Sequence, residues 1–221
     1  MMIAEESSAW HDTGDYPWKR LLGGDGMQVE VDPRNANVVY TGFQFGNYFR
    51  IERDTEKRTP IQPKHTLGEA PYRFNWQTPI LLSPHNADIL YLGGNKLHRS
   101  MDRGDTWTAI SDDLTRGGKK GNVAYGTLTT LSESPMQFGL LYTGSDDGLV
   151  HITKDGGKNW ENITSAGMPE WMMINSVEID PFNKGGLYIA GTKYKSGDYG
   201  PGVNFSIAES KVKPENEKTG C

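Results

Sequence analysis

Ser100-Met-Asp102-Arg-Gly104-Asp-Thr-Trp107 returns once in the chain, as Thr153-Lys-Asp155-Gly-Gly157-Lys-Asn-Trp160. Both stretches read hydroxyl-x-Asp-x-Gly-x-x-Trp, and the four fixed positions make physical sense as the corner of a β-hairpin. The Asp carboxylate and the Ser or Thr hydroxyl accept hydrogen bonds from turn N–H groups, Gly permits positive φ, and Trp packs its ring beneath the turn. The corner therefore predicts a strand entering it and a strand leaving it, as in Leu97 to Ser100 followed by Thr106 to Ile110.

Working outward from the corners, the whole chain is repetitive. Four segments place a Tyr in an apolar run seven residues after a Pro: Pro33 to Tyr40, Pro84 to Tyr91, Pro135 to Tyr142 and Pro181 to Tyr188. The prolines step by 51, 51 and 46 residues, and a period near 50 is the size of one four-stranded propeller blade. In each repeat strand A precedes the Pro, the Pro and its polar neighbours form the A–B turn, and strand B is the Tyr run, ending at Gly. Strand C leads into the corner and strand D leaves it. Repeat one has a degenerate corner at 48–55, and repeat four has none.

The corner pattern is that of the Asp box, or bacterial neuraminidase repeat. From about Trp18 to Pro201 the chain resembles bacterial Asp-box proteins called glycosyl hydrolase-like or sortilin-like, on Gly23-Gly-Asp-Gly-Met27, Tyr72-Arg-Phe-Asn-Trp76, Ser83-Pro-His-Asn86, Asp112-Asp-Leu-Thr115 and Gly144-Ser-Asp-Asp-Gly148. The resemblance implies an all-β fold, a β-propeller of four-stranded antiparallel Asp-box blades, with about three and a half blades here out of a larger, commonly seven-bladed, parent. Expected boundaries are 1–22 for the end of a preceding blade, 23–70, 71–121 and 122–169 for blades one to three, 170–210 for a partial fourth, and 211–221 for a polar, disordered tail. An alternative closes the four repeats into a small propeller, with residues 17–22 supplying strand D to the fourth.

Composition suits this reading. Of 221 residues, 27 are Gly and 12 Pro, with 10 Tyr, 7 Phe and 6 Trp, as expected of short strands joined by polar turns. The net charge of −5, with Lys and Arg scattered, gives no electrostatic reason for nucleic acid. The single cysteine, Cys221, leaves no intrachain disulfide and no thiolate zinc site. No window has the apolar length of a membrane helix, and the first residues are not a secretory signal, although proteins of the resembling family are usually exported.

In an up-and-down blade, the A–B turns and C–D corners share one face, and the D–A and B–C connections share the other. Strand A is innermost in propellers, so the second face forms the channel mouth. Asp102 and Asp155, with Ser100, Gly104, Trp107, Thr153, Gly157 and Trp160, are then structural. Calcium at Asp102/Asp105 or Asp155/Asn159 is the alternative, and the acidic ligand further on that would support it is missing. The mouth candidates for ligand binding are Arg73, Asn75, Trp76 and Tyr125, and the weak catalytic candidates are Asp146 and Asp147. Glycoside hydrolysis needs two carboxylates flanking the sugar bond, and no second acid stands at an equivalent mouth position. Trp76 and Tyr72 read as a sugar-stacking platform or, more commonly, as core between blades. Arg73 reads as a carboxylate clamp. His98 and His151 recur two residues before the corner hydroxyl, which argues for packing rather than metal ligation.

The expected function is a ligand- or protein-binding scaffold of the sortilin-like kind. The alternative is part of a glycoside hydrolase, xyloglucanase-like or sialidase-like. The expected partners are a carbohydrate or protein ligand and further propeller blades, with no cofactor.

Overall fold

The computed structural model describes residues 2–4, 18–118, 125–180, 182, 186–194, 197 and 203–207. The expected tail at 211–221 lies outside them. Among the described residues the regular elements are all strands, and every pairing is antiparallel. Sheet 1 is β3 (Val29–Val31), β4 (Val38–Phe43), β5 (Asn47–Glu52) and β6 (Lys57–Pro60), in that order. Sheet 2 is β7 (Ile80–Leu82), β8 (Leu90–Gly93), β9 (Leu97–Ser100) and β10 (Thr108–Ala109). Sheet 3 is β11 (Leu128–Glu133), β12 (Leu141–Ser145), β13 (Val150–Thr153) and β14 (Glu161–Asn162). Sheet 4 contains β15 (Met173–Ile179), β16 (Leu187–Thr192) and β17 (Val203–Ile207).

In sheets 1 to 3 the apolar Tyr runs become second strands buried on both faces, and their period of two sends alternate side chains to different neighbours. In β4, Val38 and Tyr40 join the core shared with Ile80, Leu90 and Leu92 of sheet 2, whereas Val39 joins a separate cluster with Leu21, Leu22 and Ile51. The same arrangement continues between sheets 2 and 3 through Tyr91, Leu97, Leu128 and Leu141, and between sheets 3 and 4 through Tyr142, Ile152, Ile174 and Ile189. The molecule is thus a partial, open β-propeller whose cores lie between successive sheets.

The N-terminal strand rules out the small closed propeller. β2 (Trp18–Arg20) pairs with β1 (Met2–Ala4), with Met2 opposite Arg20. It does not complete sheet 4, so the small closed ring does not form. Leu21 and Leu22, just after β2, instead cover the outer face of sheet 1.

The two repeated corners form as their residues dictate, with one correction. Ser100 Oγ accepts from the Gly104 N–H at 2.8 Å, and Asp102 Oδ1 accepts from the Thr106 N–H at 2.8 Å. Thr153 and Asp155 do the same for Gly157 at 2.9 Å and Asn159 at 3.0 Å. The Trp rings, however, do not serve only their own turns. Trp107 packs against the core between sheets 1 and 2, and Trp160 against the core between sheets 2 and 3, where its Nε1–H donates to the Ile110 carbonyl at 2.8 Å. The glycines explain why the preceding sheet comes so close. Gly104 and Gly157 have φ of 90° and 97°, and a Cβ would stand 2.8 Å from Ile61 Cβ in one case and 2.6 Å from the Ile110 carbonyl oxygen in the other. Each corner therefore braces its sheet onto the one before it.

Candidate functional site at the channel mouth

The connections that follow second and fourth strands meet on one face, as strand reversal requires. The Arg73 N–H donates to Asn95 Oδ1 at 3.0 Å, the Phe45 N–H to the Trp76 carbonyl at 3.4 Å, and the Asp146 N–H to the Thr127 carbonyl at 3.0 Å. The expected mouth residues are brought together here, but most are already engaged with each other.

Asp146 is the centre of the largest knot. Its Oδ1 accepts from the Gly126 and Thr127 N–H groups at 2.9 and 3.0 Å, and its Oδ2 from Thr127 Oγ1 at 2.9 Å and Asn75 Nδ2 at 3.2 Å. Asn75 Nδ2 also donates to Thr127 Oγ1 at 2.9 Å. Asp147 accepts from Ser145 Oγ at 2.6 Å and from the Arg116 N–H at 2.7 Å. Burial pushes the Asp147 carboxyl up, against the lowering effect of those two hydrogen bonds. Both aspartates have 0% of their surface exposed, so neither offers an oxygen to an incoming sugar. Asn75 is buried as well. The weak catalytic pair and the Asn75 ligand position are thus occupied as a joint between sheets 2 and 3, since buried carboxylates must be hydrogen-bonded to be tolerated.

Arg73 is likewise committed. Its Nη2 contacts Asp113 Oδ2 at 2.6 Å and Thr115 Oγ1 at 3.2 Å, and its Nε donates to the Gly126 carbonyl at 3.1 Å. The carboxylate it clamps is internal. Burial raises the Asp113 carboxyl, but hydrogen bonds from Thr115, Arg73 and Asn95 outweigh it and hold Asp113 below the ordinary carboxylate range. Tyr125 is half-buried, its ring 5.9 Å from that of Trp171, and the Arg116 guanidinium lies 5.6 Å above the Trp171 ring, a cation–π distance.

The aromatic residues left open are different from those a core reading favours. Trp76 is 47% exposed, and its ring meets Phe45, itself 40% exposed, edge to face at 5.4 Å. Tyr72, the other proposed platform residue, is half-buried and packs on the His98 ring at 4.4 Å. Phe45 sits at the tip of the β4–β5 turn with a φ of 60°, a left-handed conformation uncommon for an aromatic residue. Gln62 Nε2 donates to its carbonyl at 2.8 Å and holds the tip.

Sequence reading passed over Phe45, Arg116 and Trp171. For Phe45 a signal was present. Thr41-Gly-Phe-Gln-Phe-Gly46 aligns with Thr143-Gly-Ser-Asp-Asp-Gly148, which puts Gln44 and Phe45 where sheet 3 has Asp146 and Asp147.

The corner carboxylates are also filled. Asp102 takes both Thr106 donors, and Asp155 takes Lys158 and Asn159 N–H and Asn159 Nδ2. Asp105 pairs with Arg50 at 2.9 Å. Among the described residues no three His, Cys, Asp or Glu side chains converge to hold a metal ion.

No family model matches the chain. It is 24% identical over 179 residues to the oligoxyloglucan-reducing end-specific xyloglucanase of Emericella nidulans, an alignment that takes in 76% of this chain and 21% of that protein. It is 23% identical over 203 residues to a xyloglucanase of Paenibacillus sp., across 85% of this chain and 19% of that protein. The chain therefore spans about a fifth of the length of these curated relatives. The fold matches that of the GH74 enzyme of Niastella koreensis with a TM-score of 0.57 at 18% identity, over 83% of this chain and 28% of that one. What the chain is similar to, in sequence and in fold, is a stretch of a β-propeller glycoside hydrolase.

Proposed function

We propose that the mouth face is a saccharide-binding surface belonging to a glycoside-hydrolase propeller, and that its ligand is a xyloglucan-type glucan. The Phe45–Trp76 pair carries the reading. Two large rings remain open to solvent at a loop tip whose strained backbone is pinned by Gln62, an arrangement that makes sense if the rings stack on sugar faces. Arg116, exposed above the half-buried Trp171, supplies donors beside a second apolar surface. The relatives' xyloglucanase names support the ligand class. This replaces the sortilin-like scaffold as the preferred reading.

Within this surface Asp146 and Asp147 act as structure. Hydrolysis would draw its two carboxylates from elsewhere in a longer polypeptide, because the positions equivalent to Asp146 and Asp147 in sheet 1 hold Gln44 and Phe45. Titration of the chain with xyloglucan oligosaccharides, followed by tryptophan fluorescence, tests the proposal. Binding should weaken roughly tenfold or more in Trp76→Ala, with the melting temperature unchanged because Trp76 is exposed. Affinity unchanged from that of the unaltered chain in both Trp76→Ala and Phe45→Ala would sink the platform. Release of reducing sugar from xyloglucan by this chain alone would overturn the separation of binding from catalysis.

A further inference from the structure

Away from the mouth, the outer side of sheet 1 holds a cavity of about 30 Å³ lined by Arg20, Leu21, Ile51, Arg53, Glu56 and Arg58. Its floor is apolar, since Leu21 and Ile51 are both buried. Its other walls are charged. β6 sets Arg58 opposite Ile51 of β5, Arg53 and Glu56 lie on the chain between those two strands, and Arg20 ends β2. Arginine stays protonated at any ordinary pH, so three guanidinium groups against one carboxylate leave this small space two positive charges in surplus. The chain as a whole carries −5.

Two of the arginines are oriented by neutral groups. Arg58 Nη2 donates to the Leu21 carbonyl at 3.1 Å, and Arg53 Nη1 to the Ala36 carbonyl at 3.3 Å. Carbonyl oxygens fix a guanidinium without cancelling its charge. Among the described residues neither Arg20, Arg58 nor Glu56 takes part in an ion pair, whereas Lys57, next to Glu56, is paired with Glu52 at 3.4 Å. Arg20, Glu56 and Arg58 are exposed, so the charged walls are reached from solvent while the floor is not.

Size limits what can enter. A single water needs roughly 10–15 Å³ of such space, so the cavity takes about two atoms of that kind. The two oxygens of a carboxylate fit it, and the four of a sulfate or phosphate do not. The planar guanidinium fork also matches a carboxylate edge through paired N–H donors.

We propose that this cavity is a carboxylate-binding site, which takes the carboxylate of a small organic acid or of a sugar acid through the Arg20 and Arg58 guanidinium groups, with Glu56 at the rim disfavouring doubly charged ligands. The inference stands apart from the saccharide reading, because the mouth and this cavity share no residue and a neutral glucan has no group for it.

The test is titration of the 221-residue chain with sodium glucuronate, sodium acetate and sodium sulfate at constant ionic strength, and with glucose as the neutral control. NMR signals of the Ile51 methyl groups and the arginine Nε–H groups report occupancy. Both carboxylates should give saturable shifts and glucose none. Arg20→Gln should weaken acetate binding roughly tenfold, and Trp76→Ala should leave it unchanged. Glu56→Gln should tighten it severalfold by removing a like charge. That variant leaves β2 untouched, and a gain in affinity cannot come from damage to the fold. Glucuronate binding more tightly than acetate would assign the sugar acid, and equal affinity the carboxylate alone; either result supports the site. Sulfate bound as tightly as acetate overturns the proposal, as do shifts that are alike for all three salts and never saturate. Unchanged or weaker acetate binding in Glu56→Gln overturns it as well.

Discussion

At the corner end of the sheets, Asp102 and Asp155 bind donors no more than four residues away. At the mouth end, Asp146 binds Asn75 from 71 residues away and Thr127 from 19. Both ends brace neighbouring sheets, yet one brace is written in a single eight-residue stretch and the other only exists after three loops have met. The local brace repeats in two sheets and is open to water. The distant one is dry. The comparison teaches that a carboxylate's environment, rather than its motif, decides how much rests on it.

Replacement of the two carboxylates should separate these cases most widely. Asp146→Ala leaves two backbone N–H groups and the Thr127 hydroxyl without an acceptor in a buried place, takes one of two acceptors from the Asn75 amide, and should cost about 3–5 kcal/mol. Asp102→Ala exposes donors that water reaches, and should cost about 1 kcal/mol. Urea denaturation of the two variants measures both, and similar losses would erase the distinction.

The pH dependence of stability tests the dry interior between these ends. Burial lowers His98 to about 4, and neither of its ring nitrogens has a hydrogen-bond partner among the described residues. The folded state then holds His98 neutral while the unfolded chain takes up a proton below about 6.5, so its stabilising contribution is lost as pH falls from 6.5 toward 4. Burial raises Glu30 to about 7. Its contribution is fully present below the unfolded value near 4.5 and is lost as pH rises toward 7. The two slopes oppose each other between pH 4.5 and 6.5, each up to about 1.4 kcal/mol per pH unit. His98→Leu should therefore become more stable on acidification across this window, and Glu30→Gln less stable. If both variants kept the slope of the unaltered chain, neither group would titrate as its burial requires.

The same contrast explains what sequence could reveal. The sheets were legible because each repeat carries its own Pro, Tyr and turn residues at fixed spacing, and a period near 50 needs no distant information. The face on which Arg73, Asn75, Tyr125 and Asp146 meet was legible too, because strand reversal alone places it. Their bonding was not. That Arg73 would find Asp113, or that Asn75 would close on Asp146, depends on how far each sheet twists against the next. Trp76 was legible as a residue of this face, but its exposure was not, because an aromatic beside strand A is commonly core; here its ring meets the Phe45 turn tip, itself in an uncommon backbone conformation. The pairing of the N-terminal strand with Met2–Ala4 was not legible, because it carries no repeat signal.

A smaller effect is expected from the corner glycines. Gly157→Ala sets a Cβ against the Ile110 carbonyl at positive φ and should cost about 2–3 kcal/mol, against about 1 kcal/mol for Gly117→Ala, whose φ of 96° is similar but which has no atom within 4 Å of the added carbon. Equal losses would assign the whole cost to backbone conformation and none to the close approach of the sheets.

The smallest effect compares the two corner tryptophans with each other. Trp160 Nε1 donates to the Ile110 carbonyl, whereas the buried Trp107 Nε1 has no partner among the described residues. Trp→Phe removes the same volume at both positions, so the loss of packing nearly cancels and the N–H remains as the difference. At Trp160 a hydrogen bond disappears and a carbonyl is left open; at Trp107 an unpaired donor is removed, which is a relief. Trp160→Phe should therefore be the more destabilising by about 1–2 kcal/mol, measured as the gap between the two urea midpoints. A gap of the opposite sign would mean that the ring at sheet 2 holds more of the stack together than its hydrogen bonding indicates, and that the two corners are braces of different kinds.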